Sequence, residues 1–581
     1  TNILFTNVWT KTKSNHTIKF GFDIRRIRDD LLQTQTVNPR GKFHFGVAQT
    51  SIANAPTSFG NVLASLLLDV PNDTGRDYPV AFPTYRAWQI FGFVQDKWVV
   101  TSKLTLDIGL RWEYYPPATS ASKGGFSQYD FTNNSLVIAG IGNNPSNLGL
   151  DKHWKDFAPR LGIAYRLNDK TVIRSGGGIS YAPFPDNTYA FNYPIKQNNV
   201  FTGNCSFCPA VLPNGSVATF QAGFPAFAPA VIPSNGIIPN ADINQAYITV
   251  NPHFREPYVI SWNLAVQRSL PGNLVLDVAY VGNHGVDQPA NYNLNASTTL
   301  GADVAGQPLF QKFGKKNGVD LRYVGYSSMY NGLQAKLDKR FSGGFALTTA
   351  YTYSKAMGFQ SEDSGLDFYI NPKRNWRRLN FDRTHYFVQS YIYELPFGKG
   401  KRFLNSGPAM LVLGGWQLNG ILSVATGSPL DFAGSSAVLK APGNNNTLNY
   451  FGPGGIQVTK GNGRNASWFT PTKCNFDATK GALVTTQCFA QPGAENGGLP
   501  EFGNLGRNVI SGPGFWNVDA SVFRNFQISE RFKLQLRGEG FSILNTPQWN
   551  NPTTDINSSS FGFITGSGGT RSVQLGAKLQ F

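Results

Sequence analysis

Charge, long apolar runs, histidine and cysteine are all scarce in this sequence, and each scarcity excludes something. Charged residues make up 15% of the 581, against about 25% in an ordinary globular chain. With 13% aromatics beside that low charge, wholesale disorder is excluded. The longest apolar stretches, around Val62 to Val70 and Ala409 to Gly415, fall short of the roughly 18 residues that a membrane helix needs. Six histidines are spread over the chain (His16, His44, His153, His253, His284 and His385), and none pairs at i, i+4 around a Glu. A zincin site is thereby excluded. No GxSxG is present, and Gly398–Lys401 (GKGK) lacks the spacing and the Ser/Thr of a phosphate-binding loop. No catalytic residue, metal ligand set or cofactor site is assigned, and an enzyme is not expected.

Basic residues outnumber acidic ones, for a net charge of +17. They are scattered singly along the chain, with no basic helix and no nucleic-acid-binding signature. Contact with nucleic acid is therefore not expected. The charge reads as lumen lining or as contact with anionic lipid headgroups and sugars.

What the sequence does contain is alternation. In Lys103–Tyr114, Leu104, Leu106, Ile108, Leu110, Trp112 and Tyr114 share one face, and Lys103, Thr105, Asp107, Arg111 and Glu113 the other. Tyr258–Val266 and Leu274–Tyr280 repeat the pattern. Phe532–Glu539 sets Phe532, Leu534 and Leu536 against Lys533, Gln535, Arg537 and Glu539, and Asp519 falls on a polar face of the same kind. Period two means strands with one apolar face. The chain ends on RSVQLGAKLQF, with Val573, Leu575, Ala577, Leu579 and Phe581 on a single face.

A soluble sandwich and a transmembrane antiparallel β-barrel both give such alternation, and three features favour the barrel. The strands run to about 10–14 residues, where soluble strands centre on about 5–6 and tilted membrane strands need about 9–11. Trp98, Trp112, Trp416, Trp516 and Tyr280 lie near strand ends, as interfacial girdles require. The connections alternate. Short ones fall near Thr101–Ser102, Asn168–Lys170, Leu270–Asn273, Ser342–Gly344 and Gln527–Arg531, with a longer one at Pro396–Gly414. Long ones run near Pro116–Asp156, Ala182–Pro252, Val286–Ser327, Met357–Asn380, Pro429–Gly514 and Thr546–Thr570. Outer-membrane barrels have short periplasmic turns and long extracellular loops. The expectation is an all-β chain of about 15 strands in a bacterial outer membrane, loops outside and C-terminus periplasmic. The first strand, near Ile3–Trp9, then also descends. Because single-chain bacterial barrels have even strand numbers, an odd number of strands is expected to be missing at the front. One helix is expected within Thr57–Val70, capped by Thr57 or Ser58.

The segments Phe91–Pro117, Asp156–Tyr181 and Gly540–Pro552 resemble the barrels of TonB-dependent receptors, and the C-terminal strand resembles the signal read by the barrel-assembly machinery. YVGNHG (Tyr280–Gly285), FDRTH (Phe381–His385) and YELPFGKGKRF (Tyr393–Phe403) narrow the resemblance to the Oar-like group, which often carries a carboxypeptidase-regulatory-like domain at the front. The resemblance spans essentially the whole chain. It implies a 22-stranded barrel closed by a plug, energised through a TonB box, and here represented by residues 1–581 as an N-terminally truncated barrel. Signal peptide, plug, TonB box and regulatory-like domain are absent from this stretch. The implied partners are outer-membrane lipid and lipopolysaccharide, the assembly machinery, the TonB complex and an extracellular substrate. The implied alternatives are a surface display or adhesion barrel and a passive porin. Asp107, Arg111, Glu113, Asp519, Lys533, Arg537 and Glu539 are expected to line the lumen, since polar side chains toward lipid are costly.

Cys205 and Cys208 form a CxxC in one long loop, and Cys474 and Cys488 lie in another. Four cysteines allow three connectivities, and local pairs are expected outside the cell, where disulfides persist. With no neighbouring His to complete a set, metal binding is not expected. Without a βαβ pattern, neither is a thioredoxin-like role.

Overall fold

A computed structural model of the chain describes residues 2–31, 39–52, 59–79, 83–183, 192–203, 205–212, 214–226, 230–361, 365–404, 406–476, 483–485 and 487–581. Fifteen long strands form one antiparallel up-and-down sheet. They are β1 (Ile3–Lys13), β2 (His16–Asp30), β3 (Thr84–Val99), β4 (Leu104–Tyr114), β5 (Asp156–Asn168), β6 (Thr171–Tyr181), β7 (Tyr258–Leu270), β8 (Leu274–Asn293), β9 (Val319–Ser342), β10 (Phe345–Gly358), β11 (His385–Glu394), β12 (Trp416–Ala425), β13 (Phe515–Gln527), β14 (Lys533–Phe541) and β15 (Ser572–Gln580). Each pairs with the next in sequence. Among the described residues no pairing joins β1 to β15.

The two faces of this sheet are inverted relative to a soluble protein. Through the centre of β7, β5 and β4 the apolar side chains lie bare: Leu264 is 51% exposed, Leu161 50%, Ile108 48% and Leu110 44%. On the opposite face of β4, Glu113 is only 6% exposed, and its neighbours pair with one another. A continuous apolar belt of this size has no place in water, and lipid is the medium that covers it at no cost. Cross-strand register carries the belt round the sheet. Leu106 stands opposite Ile163, Ser175 opposite Leu264, Leu264 opposite Tyr280, Tyr280 opposite Leu333 and Leu333 opposite Tyr353.

Rings mark the two ends of the belt. At the long-loop end Tyr114 stacks on Trp154 at 3.8 Å, and the Trp112 indole donates to the Trp154 carbonyl at 2.8 Å. At the short-turn end Trp98 stacks on His16, and the Trp416 indole caps the short helix Pro408–Leu413 at the Val412 carbonyl. Tyr280 departs from the expectation. It stands opposite Leu264, at mid-span, where its hydroxyl donates to Asn331 at 2.5 Å, so it belongs to neither girdle.

The connections alternate as the sequence indicates, with two corrections. The expected loop Val286–Ser327 is strand at both ends, which leaves only 294–318 as the connection. β8 and β9 run to 20 and 24 residues and stay paired to Asn293 and Asp320, past bulges at Gly285, Gln288 and Pro289. The helix near residue 60 spans only Val62–Leu67 (α1), and its cap is Asn61, whose side chain accepts from the Leu63 and Ala64 amides. Thr57 and Ser58 lie outside the described residues.

The apolar cores of this protein sit in its long connections. One joins Tyr85, Phe126, Leu148, Leu150, Val250 and Phe254. A second joins Tyr129, Leu136, Ile138, Tyr247, Leu309 and Val319. A third joins Leu430, Phe432, Leu448, Phe469, Phe489, Ile556 and Phe561 from the last two long connections. The long connections are therefore folded bodies, all at one end of the sheet.

Candidate functional site: the polar face and the folded loops

The polar face is a ladder of short hydrogen bonds. Asp107 accepts from Gln95 at 2.6 Å. Arg111 bridges Asp23 and Glu113 at 3.2 and 2.7 Å, and Tyr115 donates to the second Glu113 oxygen at 3.0 Å. The guanidiniums of Arg111 and Arg25 both lie over the Phe91 ring, at 4.7 and 4.9 Å. Nine strands later, on β13, Asp519 accepts from Asn517 and from the Ser542 amide at 2.9 and 2.8 Å. Arg537 approaches Glu539 at 3.8 Å, and Gln574 donates to Glu539 at 2.5 Å. Lys533 stands between Gln527 and Gln580 in the register. Period two alone puts these side chains on one face, and cross-strand neighbours neutralise most of them. A groove of about 480 Å³ follows this face past Ser390, Asn419, Asp519 and Glu539.

Above the sheet, the loop bodies hold charge in ways that local sequence does not show. Asp367 receives both Arg377, at 2.8 Å, and Arg507, and Arg507 also reaches Asp431. Lys315 is fully buried, with its ammonium 4.5 Å from the Tyr247 ring and donating to the Gln245 carbonyl. Burial pulls its pKa down to about 8. Glu256 is 2% exposed and neither carboxylate oxygen has a partner among the described residues. Burial, then the charge of Asp156, raises it to about 8, so it is held largely as the neutral acid at pH 7. No periodicity in the sequence marks these groups, and most of their partners lie far along the chain.

The disulfides join Cys205 to Cys208 and Cys474 to Cys488. The second pins the 426–514 connection where Cys488 is fully buried beside Phe489. The connection between β2 and β3 holds an apolar crevice of about 760 Å³ lined by Phe43, Phe45, Val62, Leu63 and Leu66, with Lys42 and His44 beside them. Both of these bases pair with Asp73, at 3.1 and 2.7 Å. Among the described residues, no group of three or more His, Cys, Asp or Glu is placed to hold a metal ion.

An antiparallel meander with a bare apolar belt, ring-bearing ends and one-sided loops defines a transmembrane β-barrel. The family profile described as outer membrane beta barrel domain matches residues 1–574, and the chain belongs to that family. Its place is accordingly the outer membrane. Similar solved structures are the outer-membrane ferripyoverdine receptor of Pseudomonas aeruginosa bound to ferripyoverdine (9% identity, all of this chain and 47% of that one, TM-score 0.42), the outer-membrane transporter YddB from Escherichia coli (9%, all and 54%, 0.45), and the siderophore receptor PiuA from Acinetobacter baumannii (9%, all and 55%, 0.42). The chain spans about half the length of these proteins. No match was found among curated protein sequences.

Proposed function

We propose that this chain is the barrel region of an Oar-like, TonB-dependent outer-membrane receptor and transporter. The long connections face outward and take the substrate, and the C-terminus lies in the periplasm. Asp107, Arg111, Glu113, Asp519, Lys533, Arg537 and Glu539 line the lumen through which substrate passes when TonB moves a plug. The terminal face from Val573 to Phe581 is the signal for the barrel-assembly machinery. No covalent chemistry is involved. An oligosaccharide, a peptide or a metal chelate suits loops rich in Asn, Gly, Ser and aromatics.

The observation that supports this reading best is the pairing of a continuous polar face with folded, cored loop bodies at a single end of the barrel. Loops built this way hold a binding surface in place over a passage. The TonB step rests on the sequence resemblance. The test uses cells carrying the full-length gene, with and without functional TonB, and compares their depletion of nutrients from a defined mixture. Depletion that requires both the gene and TonB supports the proposal. Gene-dependent permeation that ignores TonB makes the protein a porin, and gene-dependent surface adhesion without depletion makes it a display barrel.

A further inference from the structure

We infer that the outer wall of the barrel carries a binding site for the phosphate of a lipid headgroup, set where β10 meets the 359–384 and 426–514 connections. The inference rests on the outer-membrane reading.

The register decides where this site opens. Leu333 of the apolar belt stands opposite Tyr353. Alternation then puts Lys355 and Met357 on the same lipid-side face, two and four residues nearer the long-loop end. Met357 stands opposite Arg378. At this level a cavity of about 540 Å³ is lined by Lys355, Arg377, Arg378 and Arg507, with Tyr353 and Trp376 among its other residues and no carboxylate in its lining. The compensating acids lie outside the lining. Asp367 holds Arg377 and Arg507, Asp431 holds Arg507, and Asp382 stands 4.0 Å from Arg378. Among the described residues, three carboxylates thus face four cations. Lys355 is exposed and has no ion-pair partner among the described residues.

Two features select a phosphate-bearing amphiphile. Guanidiniums present planar pairs of N–H donors that match phosphate oxygens. Arg377 Nε, Arg378 Nη2 and Arg507 Nε are buried and meet no acceptor among the described residues, a cost that an incoming anion relieves. The rim is apolar: Tyr353, Trp376 and Val509 are all exposed, as side chains at headgroup level are. From Tyr353 the wall continues to Leu333 on the neighbouring strand, so a headgroup seated on the cations leaves its acyl chains against the belt.

The test folds the protein into phosphatidylcholine vesicles and measures retention of three probes by native mass spectrometry: phosphatidic acid, diacylglycerol with the same tails, and inorganic phosphate. Preferential retention of phosphatidic acid over diacylglycerol is expected. It should fall about fivefold in Lys355→Gln, the loss for one cation facing an anionic headgroup, and return in Lys355→Arg. Arg378→Gln should lose more. If Arg378→Gln does not fold, Lys355→Gln carries the test alone, because its amine supports no other group. Equal retention of the two lipids, or an unchanged Lys355→Gln, overturns the site. Retention of inorganic phosphate as strong as that of phosphatidic acid overturns the lipid assignment. Insertion into the vesicles, followed by the heat-dependent gel shift of a folded barrel, is read separately, so failure of the outer-membrane reading is distinguishable from failure of the site.

Discussion

Replacing Leu264 by Arg separates a lipid-facing belt from a water-facing one more sharply than any other change. Leu264 is the central residue of β7, 51% exposed, and stands between Ser175 and Tyr280 of the neighbouring strands. If water covered this face, an exposed Leu→Arg change would shift stability by no more than about 0.5 kcal/mol. If hydrocarbon covers it, an Arg at mid-span costs about 2–4 kcal/mol, a loss of about thirty- to several-hundred-fold in the folding equilibrium. Asn263→Arg, one residue away on the polar face, is the internal control and should stay within about 0.5 kcal/mol. The assay is reversible urea unfolding from phosphatidylcholine vesicles, followed by tryptophan fluorescence and by the gel shift of the folded barrel. A Leu264→Arg variant as stable as Asn263→Arg would refute the assignment of faces, and the membrane address with it.

Other consequences are equally accessible. Phe432→Ala, in the fully buried centre of the third loop core, should cost that body about 3–5 kcal/mol while the barrel gel shift survives; limited proteolysis of residues 426–514 reads the first and electrophoresis the second. Removing the Cys474–Cys488 bond by a double Ser substitution releases a loop closed over a sequence separation of 14, a loss of about 3 kcal/mol, seen as faster cleavage in the same segment. Asp367→Ala leaves Arg377 and Arg507 facing each other without their shared carboxylate, and should destabilise the loop body by about 3–5 kcal/mol; Asp431→Ala, which strips only Arg507, should cost less. For Glu256 the folded pKa of about 8 lies above the ordinary 4.5. The native state therefore binds the extra proton, and stability falls as pH rises from about 4.5 through about 8. Glu256→Gln should remove this slope, protecting the backbone around residue 256 from hydrogen exchange at about pH 9 and changing little at about pH 5.

Most of the barrel was legible because a lipid-facing strand states its two faces residue by residue. β4 and β15 carry an unbroken period of two, and β7 and β14 depart from it only near their ends, at Val259, Arg268 and Phe541. The outer halves of β8 and β9 were not legible. Past Gly285 the bulges at Gln288 and Pro289 break the period, and the hairpin beyond is held by its partner strand. The cap of α1 was missed because Asn61 follows Gly60 and competes with Thr57 and Ser58 for the same role. The loop charges escaped for a different reason. Asp367 and Arg507 are brought together from two separate connections, 359–384 and 426–514, and Lys315 meets Tyr129 across several strands. Such pairs leave no periodic trace, so the sequence shows single charges where the fold has a network.

The make-up of the second loop core carries a constraint on biogenesis. Its members come from the connections after β4, β6 and β8, and from Val319 at the root of β9. No two of those connections are consecutive halves of one hairpin, so this core cannot condense on the nascent chain as an autonomous unit. Tyr129 and Val319 become neighbours only after the six strands from β4 to β9 have docked edge to edge. A surface epitope formed by that core would therefore report a seated wall and stay silent on a half-inserted one.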